Sequence, residues 1–226
     1  YNESQVTDKF FATGYVNYNY GLIQLEENDE FVDGPDIRGL GANLRFGYRY
    51  GQTNRDAIWA DAIYTSGDEN GLNDGVYSGV MTGNTWATPG GLYVSHGGYL
   101  LFPHANVVNR YVAAVTDISN LGYGLTGLSV NVGRDLIPNK LNAKIGAVSA
   151  LANANPVNGG RQMGLEANAN VNYYLGPFMS LEAHAAYLWL GDFYDSPAVN
   201  SGLNTRPTNP YTAFVAFPWL MFSARK

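Results

Sequence analysis

The chain has 226 residues, no cysteine and a formal charge of −6; 46% of its residues are hydrophobic and 14% charged, against about 25% charged in an ordinary soluble domain. The length suits one large all-β domain without subdivision, 1–226. The absence of cysteine rules out a disulfide framework and thiolate metal sites, the acidic balance argues against a nucleic-acid partner, and no apolar run approaches the ~18 residues of a transmembrane helix.

Residues 14–22, Gly-Tyr-Val-Asn-Tyr-Asn-Tyr-Gly-Leu, alternate strictly, with Val16, Tyr18, Tyr20 and Leu22 on one side and Asn17 and Asn19 on the other. A period of two marks a strand with one apolar and one wet face. Residues 36–50 repeat it: Leu40, Ala42, Leu44, Phe46, Tyr48 and Tyr50 against Gly39, Gly41, Asn43, Arg45, Gly47 and Arg49. Residues 162–175 do so again, placing Met163, Leu165, Ala167, Ala169, Val171, Tyr173 and Leu175 opposite Gln162, Glu166, Asn168, Asn170 and Asn172.

Weaker alternation predicts strands over 10–23, 55–66, 107–118, 125–134, 141–151, 178–190 and 211–222. Single-chain bacterial barrels have even strand numbers, so a tenth strand is sought within 67–106, and Leu92–Leu101 is the best stretch for it. The connections then alternate. Gln52–Asn54, Phe102–Asn106, Asp135–Lys140 and Gly176–Pro177 are short turns. Gln24–Pro35, Gly67–Gly91, Ala152–Gly160 and Gly191–Pro210 are long loops, with Ser119–Gly124 a brief exception. Short turns at one end and long loops at the other are the habit of outer-membrane barrels.

Soluble sandwiches alternate too, so the solvent of the apolar face has to be argued. Three features favour lipid. The strands exceed the usual ~5–6 residues and match the ~9–11 of a tilted membrane strand. Aromatic rings gather at the ends of the apolar faces, as with Tyr48, Tyr50, Tyr187, Trp189 and Tyr211, where an interface suits them. The charges Arg45, Arg49, Lys144, Glu166 and Glu182 all fall on the polar face. The expected fold is therefore a transmembrane antiparallel up-and-down β-barrel of about ten strands, or a segment of a larger one, in the bacterial outer membrane.

The stretches DAIWADAIYTSGDENG (56–71), GGLYVSHGGYLLFPHANVVNRYVAAV (90–115) and VNVGRDLIPNK (130–140) resemble the alginate-export-like group of outer-membrane porins. That resemblance implies passage of small or anionic solutes through a lumen lined by charged residues. It also leaves room for a homo-oligomer or a partner protein, although no interface motif stands out. Alginate-export barrels are considerably larger than ten strands, which is where this chain departs from the group.

The expected pore-lining set is Arg45, Arg49, Arg55, Asp61, Lys144, Glu166 and Glu182, with His184 beside them. A basic cluster in a lumen attracts anions; equally, opposite charges paired across a narrow interior would plug it, since ten strands enclose little beyond side chains. The loop Gly67–Gly75 carries oxygen donors suited to calcium, but Leu72 occupies a position the EF-hand spacing needs as a ligand, and turn chemistry explains the same residues. The acidic run Glu26, Glu27, Asp29, Glu30, Asp33 and Asp36 is expected as a solvated surface loop. No catalytic set emerges: His96, His104 and His184 lack an aspartate two residues away, and Ser95 and His96, being adjacent, point to opposite faces of a strand. No cofactor is expected. A structural barrel that anchors or sleeves a partner is the first alternative to a pore, and an outer-membrane hydrolase with its site at the barrel mouth the second.

Overall fold

The computed structural model of the chain describes residues 2–80, 98–101, 120–176, 179–200 and 211–216. They form one sheet of ten strands: β1 (Asn2–Gln5), β2 (Phe10–Glu27), β3 (Glu30–Arg49), β4 (Ala57–Thr65), β5 (Val76–Tyr77), β6 (Leu125–Ile137), β7 (Leu141–Ala152), β8 (Gln162–Gly176), β9 (Met179–Leu190) and β10 (Tyr211–Ala216). The order is β1-β2-β3-β4-β6-β7-β8-β9-β10, every neighbouring pair antiparallel, while the two-residue β5 lies parallel to β3. Among the described residues no ladder joins β10 to β1 or β2, so the sheet is open at that seam.

Two expectations about strand layout are corrected. β4 pairs directly with β6 through nine residues, Ala57↔Gly133 to Thr65↔Leu125. Residues 98–101, taken as the end of a tenth strand, carry no strand; they lie against the sheet. The rest of that stretch and the strand expected over 107–118 fall outside the described residues. The long loop expected at Gln24–Pro35 is instead a continuation of β2 and β3 around a two-residue turn, Asn28-Asp29, with φ of 55° and 64°. Positive φ at both central residues is the twist-matched hairpin turn. The acidic residues of that run are thus on the facing ends of β2 and β3, with Asp29 in the turn; Asp36 is bonded to Arg38 at 2.7 Å, and the others are exposed.

The connections 50–56 and 138–140 lie at one end of the sheet; at the other, the long-loop end, lie 153–161, the described parts of 66–124 and 191–210, and the two-residue turn 28–29. Polarity across the sheet is inverted relative to a water-soluble core. Val16 (73% exposed), Tyr20 (78%), Phe46 (58%) and Ile145 (63%) are on the outside, whereas Asp61 (2%), Asn131 (0%) and Glu166 (0%) are buried on the concave side. Leu44 and Leu165 share the exposed face. Met163 departs from the expected parity. Ala150 and Leu151, consecutive on β7, pair with Gly164 and Gln162 on β8, so Met163 is the extra, bulged residue of β8, turned inward and buried. Bulges re-aim side chains in this way.

Among the described residues the buried apolar cluster joins Ile63, Leu125, Val148 and Leu188 of the strands to Val80, Leu101 and Phe193 of the loops, with Val148 and Leu188 flanking Glu166 in register.

Candidate functional site

Strand register decides which polar side chains meet. One row crosses the sheet as Thr13, Arg45, Asp61, Ser129, Val148, Glu166 and Leu188. A second row, displaced towards the short turns, contains Arg49, Ala57, Gly133, Lys144, Asn170 and His184. Residues far apart in sequence are thereby set side by side on one concave face.

In the first row Arg45 and Asp61 form a two-pronged ion pair, and Ser129 Oγ donates to Asp61 Oδ2 at 3.2 Å. Asn131 Nδ2 extends the chain to Ser129 Oγ at 3.2 Å. Glu166 is also engaged: its oxygens accept the backbone N–H groups of Tyr99 (2.7 Å), Leu100 (2.9 Å) and Leu101 (2.7 Å) and Nδ2 of Asn168 (2.9 Å). The segment 98–101 is thus seated on the polar face of the sheet. Lys144 Nζ lies 4.9 Å from the centre of the Tyr99 ring, and the same ring meets His184 edge-on at 5.2 Å.

Beside the second row, Glu182 accepts from Asn172 Nδ2 at 2.9 Å and its Oε2 lies 3.3 Å from His184 Nε2. Asn170 Nδ2 lies 3.2 Å from both ring nitrogens of His184. Arg49 stacks over the Phe11 ring at 4.7 Å, a contact that exists because residue 47 is glycine; a Cβ there would land 2.0 Å from the ring. Arg55 belongs to the 50–56 turn and not to a strand. It sits 3.9 Å from Asp135 and 4.3 Å over Tyr174, at the short-turn rim.

The expected set therefore comes together on one face, with Arg55 at its edge. The pattern missed Asp135, buried on the same side as Asn131; its odd-numbered parity with Asn131 and Gly133 was the available signal. With Asp135 included, Arg45, Arg49, Arg55 and Lys144 face Asp61, Asp135, Glu166 and Glu182, four cations against four carboxylates. No family model matches the chain, and no curated protein does.

Among the described residues no group of three His, Asp or Glu side chains could hold a metal ion. In the 67–75 loop Asp68 Oδ1 accepts from Asn70 N–H (3.0 Å), and its Oδ2 accepts from the backbone N–H and the hydroxyl of Ser78 (2.7 and 3.0 Å). Both oxygens of Asp68 thus serve in shaping the turn.

Proposed function

We propose that the chain is the wall of an outer-membrane β-barrel channel that passes small solutes through its polar interior. The observation that carries this is the inverted sheet: exposed aliphatic and aromatic side chains outside, buried carboxylates, amides and guanidinium groups inside. Water would drive the opposite arrangement, whereas hydrocarbon outside and water inside favour this one. Strands of 12–15 residues in β6–β9 span a bilayer at the usual tilt. Aromatic pairs stand towards both ends of the outer face, Phe10 with Tyr48 at 4.8 Å and Tyr187 with Trp189 at 4.9 Å.

An open sheet edge in hydrocarbon leaves backbone groups without partners, so the proposal includes closure of the seam. β2 runs towards the long-loop end and β10 away from it, so β10 would meet β2 antiparallel. The anion preference rests on the cationic groups of Arg45, Arg49, Arg55 and Lys144, which stand among the carboxylates of the same face. The balance of four against four makes that preference weak and bore size the main filter.

Planar-bilayer recording of the folded, reconstituted protein tests this. Discrete conductance steps with a reversal potential displaced towards chloride are expected, and the displacement should vanish in Arg49→Gln/Lys144→Met. Folded, membrane-inserted protein that never conducts would replace the channel with a plugged, anchoring barrel, a reading that the buried apolar cluster favours.

A further inference from the structure

We propose that Glu166 is the latch that holds residues 98–101 against the inner face of the channel, a positioning residue that sets the aperture; this rests on the channel reading above. Glu166 projects from the middle of β8 and is 0% exposed. A carboxylate withdrawn from water is tolerated only where its lone pairs are met. Here four donors meet them, two per oxygen: Tyr99 N–H and Asn168 Nδ2 on Oε1, Leu100 N–H and Leu101 N–H on Oε2.

Three successive backbone N–H groups converging on one anion make a concave anion site. In this molecule the anion is part of the wall and the donors are part of the loop. Separating the two breaks three hydrogen bonds to one charged group together, so the three residues dock as a unit. Side chains reinforce the seat. Leu101 enters the apolar cluster with Val80 and Phe193, and Tyr99 lies between Lys144 and His184. Replacing Glu166 with Gln would turn an amide NH2 towards N–H groups, a donor against donors.

The chain has no cysteine, so Leu101→Cys supplies a single thiol at a position that is 1% exposed. Modification by a water-soluble maleimide, in protein reconstituted in phospholipid vesicles, reads whether the segment is docked. Slow labelling is expected in Leu101→Cys alone. Labelling about ten-fold faster is expected once Glu166→Gln is added, the factor that corresponds to losing one charge-assisted hydrogen bond. Equal rates overturn the latch. Should Glu166→Gln fail to fold, Leu100→Pro in the Leu101→Cys background deletes one donor from the loop side and leaves the wall untouched. It too should accelerate labelling, and an unchanged rate overturns the latch. Conductance of the same variants separates the two proposals. Silent variants that still differ in labelling keep the latch and remove the channel, whereas conducting variants with equal labelling keep the channel and remove the latch.

Discussion

Arg45 and Asp61 stand directly opposite one another in the β3–β4 ladder and are joined twice, Nε to Oδ1 and Nη2 to Oδ2. Asp61's side chain is 1% exposed and Arg45's 21%, so the pair lies at the edge of water, its carboxylate on the dry side. Removing one member of a buried pair costs more than the pair contributes, because the other is left in place without compensation. Asp61→Asn should destabilise the folded protein by roughly 2–4 kcal/mol, the partial hydration of Arg45 keeping it below the fully buried range. The double variant Arg45→Gln/Asp61→Asn should lose less than the sum of the two single losses. Urea unfolding in detergent measures both; strict additivity would show that the two groups are not coupled.

Ile145 discriminates between solvents. It is 63% exposed on the outer face, opposite Val132 and Ala169. On a water-facing surface, Ile145→Arg would change stability by about 0.5 kcal/mol or less. At mid-bilayer the same change costs roughly 2–4 kcal/mol. We expect Ile145→Arg to fail to assemble into vesicles, while Asn172→Arg, whose side chain would face Glu182 on the concave side, assembles normally. The heat-dependent shift in electrophoretic mobility reports the folded fraction. Wild-type assembly of Ile145→Arg would leave the outer face without lipid.

The faces of β2, β3 and β8 were legible in the sequence because inside versus outside needs only parity, and Val16, Phe46 and Leu165 obey it. Parity failed at Met163, where one inserted residue changes sides. The hairpin turn was missed because six acidic residues dominate 26–36, although Asn28-Asp29 carries a turn signal of its own. Residues 98–101 alternate poorly for a reason that no local window contains: their backbone is satisfied by Glu166, 65 to 67 residues away in sequence. Composition could nominate Arg45, Asp61, Lys144 and Glu166 as neighbours on a face. Only register reveals that Asp61 belongs to Arg45 while Glu166 belongs to the loop.

The bulge that moves Met163 depends on Gly164. Its φ of +149° is a conformation L side chains rarely adopt, and a Cβ there would lie 2.5 Å from the Trp189 carbonyl oxygen. Gly164→Ala should therefore destabilise by about 1–3 kcal/mol and loosen Met163 from the apolar cluster. Faster oxidation of Met163 to its sulfoxide in the variant, followed by peptide mass analysis, checks the second effect. Wild-type stability together with wild-type oxidation would mean that the bulge is not held by this glycine.

Asp56 ties the 50–56 turn to the end of β6. Its Oδ1 accepts Asp135 N–H at 2.8 Å, and its Oδ2 accepts Gln52 N–H at 3.0 Å and Thr53 N–H at 3.2 Å. The Asp135 N–H, more than any other group, holds the carboxyl below the ordinary aspartate range; burial opposes this and is outweighed. A carboxyl whose folded value lies below its unfolded value, about 3.9, contributes its stability in full above roughly pH 4 and loses it as pH falls through the folded value. Wild type should therefore exceed Asp56→Asn in urea midpoint at neutral pH, and the gap should close as the pH is lowered from about 4 towards 2. Midpoints of both proteins measured across that interval decide the matter. A gap that stays constant down to the lowest pH would show that the turn is held by Asp56's shape and not by its charge.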